Sequence, residues 1–384
     1  MRQTFTALNG LRILAALLVV LFHYGTLTDS FVDCPIFVKN FIYNGTIALP
    51  FFYVLSGFVL AHAYSGLSYT TLQKRQFYSA RIARLFPAYL LGFILFLPIA
   101  VQKYLWHPVP GGHVGPHGFV FGGLLSLFAL QAWTPFSQAW NGPSWSISVE
   151  AFFYVMFPFV LPKILKNRPH RLVTVLCVLW LVVISLTVAH ERNVIGEQLW
   201  HGYIMYQPVF WMPTFLVGMA TYRLAHRWSY VPGAIATFVS LTSLTVLALL
   251  CGLLSPQSGG DFMVNGGAAP LIAIVVLAFS HPRCLSTRLL GSRPLAFLGG
   301  ASYVVYILQA PLWHMFRVAS DRLRHADPQS TVKDWQFLLY LPLLLTVALL
   351  AQRLVERPAQ RYLLKRIRLN TVSLSERPVN AVTV

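Results

Sequence analysis

Charge is what this sequence has least of. Only 10% of its 384 residues are Asp, Glu, Lys or Arg, and only 11 residues are acidic. Soluble domains carry about 25% charged residues, so this chain cannot cover itself with an ordinary solvated surface. Because 56% of the residues are hydrophobic and the apolar stretches are continuous, we predict an all-α, polytopic membrane protein rather than a barrel of alternating strands.

Cysteine is also scarce, and its spacing excludes a disulfide framework and a zinc motif. The four cysteines are Cys34, Cys177, Cys251 and Cys284. We therefore expect no metal. No small-residue cleavage site closely follows the first apolar stretch, so we expect that stretch to remain as a first helix rather than to be a signal peptide.

Ten apolar segments are long enough to span a bilayer. They cover roughly residues 10–28, 47–64, 85–102, 146–163, 172–189, 206–223, 232–254, 264–280, 295–316 and 335–353. An eleventh segment, residues 119–134, is short and interrupted by Gly122 and Gly123. Its status decides which side of the membrane every later loop occupies.

The distribution of basic residues indicates that residues 119–134 do not span. With both termini cytoplasmic and this segment re-entrant or surface-lying outside, 22 of the 29 basic residues fall inside, the positive-inside pattern. The exceptions are Lys39, Lys103, Arg192, Arg317, Arg322, Arg324 and Lys333. The formal charge of +18 then reflects membrane anchoring, and we expect a lipid bilayer and no nucleic acid as a partner. We predict a membrane domain over residues 1–368 and a disordered cytoplasmic tail over residues 369–384.

Arg12 and His23 bracket the apolar run of the first helix. They are eleven positions apart, which corresponds to about 16 Å along a helix. Because the amino terminus is predicted to be cytoplasmic, Arg12 faces the cytoplasm and His23 lies toward the outer half of the membrane. The alternative is that both residues merely anchor the helix ends. Ionisable groups at membrane depth are costly and usually functional, and histidine can act as a base near neutral pH.

Two further segments combine small or basic residues with a span. Ser56 and Gly57 lie mid-membrane in the second span, where small residues either let a neighbouring helix pack closely or leave a narrow passage. Arg81 and Arg84 share one helical face at the cytoplasmic end of the third span. Paired guanidinium groups suit a phosphate or pyrophosphate, although positive-inside anchoring explains them as well.

Glu150 is the only acidic residue inside a predicted span, and Ser146 lies on the same face one turn earlier. A carboxylate at that depth either forms a structural bridge or orients His23 and raises its basicity. Tyr303, Tyr306 and Gln309 form a polar stripe on the ninth span, which packing also explains. We expect Glu356 to pair with Arg353 or Arg357.

Together these segments resemble the integral-membrane acyltransferase family 3, which O-acylates extracytoplasmic glycans and some small molecules. The matching motifs occur in the family's order and are Leu8-Asn9-Gly10-Leu11-Arg12 with His23, the segment from Phe51 to Leu55-Ser56-Gly57-Phe58, Arg81-x-x-Arg84 with Pro87, Trp145-Ser146-Ile147-Ser148-Val149-Glu150, Ser302-Tyr303 with Tyr306, and Glu356-Arg357-Pro358. They extend over nearly the whole chain.

The resemblance implies a ten-helix fold in a bacterial inner membrane, an acyl-CoA donor entering from the cytoplasm, essential roles for Arg12 and His23, and a donor site at Arg81 and Arg84. Two positions depart from the family, since Asn9 replaces the usual Asp and Gln309 stands where many members have His. Many members also carry a fused extracytoplasmic esterase-like domain. This sequence contains none, so we expect it to deliver the acyl group itself or through a separate protein.

The leading hypothesis is a membrane O-acyltransferase that uses acetyl-CoA. The pantetheine arm of the coenzyme A would pass Ser56 and Gly57. His23, supported by Glu150, would deprotonate a hydroxyl of a glycan or lipid-linked sugar. An acyl-histidine intermediate is the variant. The expected acceptor-binding residues are Trp140, Asn141, Trp145, Ser146, Tyr303 and Gln309. Glycan-assembly proteins are candidate partners. The alternatives are a transporter or flippase for a glycan or lipid-linked intermediate, and an enzyme that acylates a small acceptor such as a macrolide.

Overall fold

The computed structural model describes residues 5–66, 70–106, 116–256, 260–323 and 334–371. Within these ranges the regular structure is entirely helical, as predicted. The helices are α1 (Thr6–Thr28), α2 (Ile36–Tyr43), α3 (Ala48–Tyr64), α4 (Thr71–Trp106), α5 (Pro116–Leu127), α6 (Trp145–Lys166), α7 (Pro169–Glu191), α8 (Glu197–Leu199), α9 (Pro208–Trp228), α10 (Gly233–Leu253), α11 (Ala269–Phe279), α12 (Ser286–Leu290), α13 (Arg293–Leu323), α14 (Phe337–Ala351) and α15 (Arg357–Thr371). The π-helical segments Trp200–Ile204, Met263–Gly267 and Gln352–Glu356 lie between some of these helices.

Eight helical segments in the described ranges are long and apolar enough to cross a membrane. They are Thr6–Thr28, Gly45–Tyr64, Gln73–Gln102, Gly142–Lys166, Pro169–Glu191, Gly233–Leu253, Arg293–Ser320 and Phe337–Arg366. Large apolar side chains such as Val173, Leu181 and Phe238 are exposed on these helices, an arrangement that water disfavours and lipid tails accept. The chain is therefore an all-α, polytopic membrane protein.

Three predicted segments, 119–134, 206–223 and 264–280, are not among these eight helical segments. The predicted span 206–223 is the helix α9, whereas the predicted span 264–280 begins with a π-helical turn and leaves only the 11 residues of α11 as regular helix. The segment near 119–134 forms α5, whose 12 residues extend about 18 Å and are too short to cross a hydrocarbon core of about 30 Å. This agrees with the prediction that it does not span.

The chain divides into two compact units. Unit 1 comprises residues 1–65 and 159–302, and unit 2 comprises residues 66–158 and 303–384. In unit 1, α1, α3 and α11 enclose an apolar core that includes Leu8, Phe58 and Val276. In unit 2, α4 packs against α15 and against the turn formed by Gln352–Glu356. Of the predicted tail, residues 369–371 complete α15, and residues 372–384 lie outside the described residues.

Candidate functional site

The ring of His23 is held in one orientation by the helix that carries it. Its Nδ1 lies 3.0 Å from the carbonyl oxygen of Val19, one turn earlier on α1. A carbonyl oxygen only accepts, so Nδ1 must carry the hydrogen, and in the neutral ring Nε2 holds the lone pair. The side chain is half-buried in unit 1. The geometry therefore presents Nε2 as the atom that can take a proton.

The remaining predicted site residues of unit 1 lie on α1 and α3. Arg12 and Ser56 are half-buried and engaged with neighbours. A Cβ added at Gly57 would meet the backbone carbonyl of Phe215 on α9, and one added at Gly218 would meet the carbonyl of Val54 on α3. The space beside Gly57 is thus filled by the backbone of α9. Of the two roles considered from the sequence, Gly57 has that of close helix packing and does not line a passage.

Arg81 and Arg84, the two arginines predicted to bind a phosphate, have different environments in unit 2. Arg84 forms an ion pair through Nη1 with Oε1 of Glu356, whose side chain is only 2% exposed. The Arg84 guanidinium also lies over the ring of Tyr303, 5.8 Å from its centroid, a cation–π arrangement. Instead of the expected Arg353 or Arg357, the structure gives Glu356 a partner more than 270 positions earlier in the chain. The reason is the turn at Gln352–Glu356, which packs its buried end against α4.

The guanidinium of Arg81 lies over two aromatic rings. It is 5.9 Å from the centroid of Phe77 and 5.8 Å from that of Tyr154. The Tyr154 hydroxyl in turn donates a hydrogen bond to Oε1 of Glu150. Two guanidinium groups, two carboxylates and two phenols are therefore assembled within unit 2, and their charges balance. We call this set (Arg81, Arg84, Glu150, Tyr154, Tyr303 and Glu356) the arginine cluster.

A second group of buried polar side chains lies in unit 2, nearer the amino-terminal end of α6. We call it the polar cluster, and it consists of Tyr89, Gln131, Asn141, Ser144, Ser146, Tyr306 and Gln309. Ser146 Oγ and the Tyr306 hydroxyl lie 2.9 Å apart, and each is within hydrogen-bonding distance of the carbonyl of Pro143. The predicted stripe on α13 connects the two clusters, because Tyr303 and Gln309 are about 9 Å apart along a helix.

The amide side chains of the polar cluster each use their nitrogen and leave their oxygen unused. Asn141 Nδ2 donates to the Ile307 carbonyl at 3.2 Å, Gln131 Nε2 to the Ser144 carbonyl at 2.9 Å and Gln309 Nε2 to the Tyr306 carbonyl at 3.0 Å. Among the residues that the structure describes, none donates to the three amide oxygens, although all three are fully buried. Such acceptors are costly, and a ligand that brings O–H or N–H donors would satisfy them.

The two tryptophans expected to bind the acceptor are packed inside unit 2. The Trp140 ring is stacked between Phe93 and Phe119, at centroid distances of 4.9 Å and 5.0 Å, and its Nε1 donates to the Phe119 carbonyl. Trp145 is buried as well. Because both faces of Trp140 are covered, it offers no face for a sugar in this conformation.

Sequence reasoning missed Tyr89, Gln131 and Ser144. Gln131 lies in a short turn between α5 and α6, and no periodicity marks it. Tyr89 is one of 17 tyrosines and has no distinguishing neighbour in the sequence. The only clue in the sequence is Gln131 itself, a single amide in an otherwise apolar stretch, which is weak evidence.

Comparisons with known proteins agree with the motif pattern. The model of a family described as an acyltransferase domain matches residues 5–352. The peptidoglycan O-acetyltransferase OatA of Listeria monocytogenes is 23% identical over 94% of this chain and 56% of its own length. The O-acetyltransferase OatA of Staphylococcus aureus is 20% identical over 92% of this chain and 57% of its own length. The acyltransferase MdmB of Streptomyces mycarofaciens is 32% identical over 43% of this chain and 41% of its own length.

This chain thus spans little more than half the length of the two O-acetyltransferases. No solved structure matches it.

Proposed function

Because this chain belongs to the acyltransferase family whose model matches residues 5–352, we propose that it is an O-acetyltransferase of the bacterial plasma membrane. Acetyl-CoA, bound from the cytoplasmic side, donates the acetyl group to a hydroxyl of an extracytoplasmic carbohydrate. The names of the relatives from Listeria monocytogenes and Staphylococcus aureus support an O-acetyl transfer, and the former supports a glycan acceptor. Glycan-assembly proteins of the same membrane are the proposed partners.

The orientation of His23 carries the proposal. Its Nε2 takes the proton of the acceptor hydroxyl, the oxygen attacks the thioester carbonyl carbon, and the carbon–sulfur bond breaks as the CoA thiolate leaves and is protonated. The contact between Nδ1 and Val19 keeps the basic nitrogen on one side of the ring throughout. Arg12, on the same helix, is proposed to be essential for the helix position or for the donor.

The arginine cluster is proposed to hold the phosphates of the donor. A guanidinium group carries five N–H donors in a planar fork, so one group can hold a carboxylate oxygen and a phosphate oxygen at once. Arg81 and Arg84 lie on one face of α4, with Ser56 of α3 retained as a candidate for the donor path. Support of His23 by Glu150 stays a prediction, because the two residues belong to different units.

The polar cluster is proposed to bind the acceptor. The unsatisfied oxygens of Asn141, Gln131 and Gln309 match the O–H donors of a sugar, and Ser146 and Tyr306 line the same region. A carbohydrate is rich in hydroxyl donors, so it satisfies several buried acceptors at once, which a purely apolar acceptor would not do.

The experiment is a turnover assay with the full chain in lipid nanodiscs, acetyl-CoA and soluble peptidoglycan fragments. Released thiol and ester-linked acetyl groups are counted together. We expect one thiol per acetyl ester, and thiol release that depends on the sugar. Movement of a labelled glycan across the membrane of vesicles without consumption of acetyl-CoA would instead identify a transporter.

A further inference from the structure

The end of α7 and the chain that follows bring two imidazoles and a carboxylate together in unit 1. His190 lies in the last turn of α7, Glu197 begins α8, and His201 follows four residues later. Nε2 of His190 is 3.8 Å from Oε1 of Glu197, and Nε2 of His201 is 3.0 Å from Oε2. One ligand atom from each residue lies within 4.8 Å of the others.

The ring of His190 is oriented toward Glu197 by its surroundings. Its Nδ1 lies 2.9 Å from the carbonyl oxygen of Ile195 and must donate to it, which leaves Nε2 with the lone pair. The ring is stacked flat on Trp200, with 4.6 Å between the centroids and an angle of 8°. The His190 side chain is only 8% exposed. A ring nitrogen bonded to a backbone carbonyl is the usual support of a metal-binding histidine.

We propose that His190, Glu197 and His201 bind a divalent transition-metal ion of the class of Zn²⁺. Two imidazoles and one carboxylate form a ligand set used by zinc sites that keep a fourth position for water. Imidazole nitrogen selects zinc and its neighbours over calcium and magnesium, which prefer oxygen. The Glu197 side chain is 78% exposed and that of His201 is 46% exposed, so an ion and its water reach the site from solvent.

A further carboxylate lies close to this site. Burial raises the pKa of the Asp261 carboxyl, His190 and His201 lower it and Glu197 raises it, so all three residues act on this carboxyl electrostatically. Its neighbour Phe262 donates a backbone hydrogen bond of 3.1 Å to Oε1 of Glu191, which ties this segment to the end of α7. Asp261 therefore lies where it can add negative charge around the ion.

The cysteine spacing predicts no metal site, and the spacing of His190, Glu197 and His201 forms no recognisable motif either. Seven positions separate His190 from Glu197, which matches no zinc motif. The chain reverses at Asn193, whose φ of 58° is left-handed, and this reversal folds Glu197 back over the end of α7. On the topology predicted from charge, the site faces outside. Ion pairing between Glu197 and protonated histidines is the competing explanation.

The test uses the full chain, purified in detergent with an affinity tag that contains no histidine and stripped of metal by a chelator. Zn²⁺ is titrated by calorimetry, and Co²⁺ is added separately as a spectroscopic probe. We expect one Zn²⁺ per chain and, for Co²⁺, a visible absorption band typical of four-coordinate sites. Glu197→Gln and His201→Ala should each weaken Zn²⁺ binding at least about tenfold and remove the band.

The matched control is His170→Ala, which removes an exposed histidine from the other end of α7 and should bind Zn²⁺ like the unaltered chain. Since Glu197 and His201 are exposed, their variants should keep the circular dichroism spectrum of the unaltered chain. The proposal is overturned if the unaltered chain binds Zn²⁺ no more tightly than Glu197→Gln or His201→Ala, the result that simple ion pairing predicts.

Discussion

The pairing of Arg84 with Glu356 separates two arginines that the sequence presents as equivalent. Arg84 faces a buried carboxylate, whereas Arg81 lies over Phe77 and Tyr154. Removing one member of a buried pair leaves the other charge uncompensated, which costs more than the pair itself contributes. Arg84 is therefore expected to matter for stability as well as for the donor.

We predict that Arg84→Gln lowers the free energy of unfolding by about 3 kcal/mol, because the buried carboxylate of Glu356 loses its counter-charge. Arg81→Gln removes the contacts of the guanidinium with the rings of Phe77 and Tyr154, so it should lower stability as well as weaken donor binding. The double variant Arg84→Gln/Glu356→Gln should regain most of the lost stability. Chemical denaturation in detergent measures all three, and a double variant no more stable than Arg84→Gln would contradict the pairing.

The unsatisfied oxygen of Gln309 predicts an effect on the acceptor rather than on the donor. Gln309→Met keeps the length of the side chain but removes the amide, and loss of one hydrogen bond of about 1 kcal/mol corresponds to a rise of about fivefold in KM for the acceptor. The KM for acetyl-CoA should stay unchanged. Gln336→Met is the matched control, since that buried amide bonds to Ser320 outside the polar cluster. Equal effects of both variants on the acceptor would refute the assignment.

Some of the site residues could be predicted from their spacing in the sequence, whereas others could not. The three-residue spacing of Tyr303, Tyr306 and Gln309 predicted a stripe on one helical face, and the structure places all three residues on α13 with buried polar contacts. The partner of Glu356 could not be predicted, because contacts between residues distant in the chain leave no periodic pattern. Gln131 was missed for the same reason.

At the scale of helices, the close approach of α3 and α9 depends on two glycines. A side chain at Gly218 would collide with the backbone of Val54, and one at Gly57 with that of Phe215. Backbone atoms cannot move aside as the end of a flexible side chain can, so the helices themselves would have to separate.

We predict that Gly218→Ala destabilises the protein by about 1–3 kcal/mol, the usual cost of overpacking a well-packed interface. Gly66→Ala is the control, because a Cβ at Gly66 meets nothing within 4 Å. Thermal unfolding of both variants in the same detergent provides the measurement. A melting temperature for Gly218→Ala equal to that of Gly66→Ala would show that α3 and α9 are not tightly packed.

Helix positions followed closely from the apolar runs, and the exception has a local cause. The predicted span 264–280 loses its first turn because Gly266 adopts a φ of 114°, which breaks the regular helix before α11 begins. Hydropathy averages over such a glycine and does not detect the break. By contrast, α5 was correctly set apart from the spans, because the charge of the following loops constrained it.

At the scale of the whole molecule, the predicted topology assigns each loop to one side of the membrane. Val194 lies in a loop predicted outside and is 79% exposed, whereas Asn167 lies in the basic loop predicted inside. In a chain whose four cysteines are replaced by serine, a membrane-impermeant maleimide should label Val194→Cys in cells with a permeable outer surface and an intact plasma membrane. Asn167→Cys should be labelled only after lysis. Labelling of Asn167→Cys in such cells would reverse the topology.

We propose that His23 is the base in acetyl transfer to a surface carbohydrate. The test is mass spectrometry of cell-surface glycans from cells that lack this protein and express the unaltered chain, His23→Ala or His170→Ala at equal membrane levels. We predict a mass increase of one acetyl group per modified sugar with the unaltered chain and with His170→Ala, and at least about a hundredfold less with His23→Ala. Normal acetylation by His23→Ala would contradict the account.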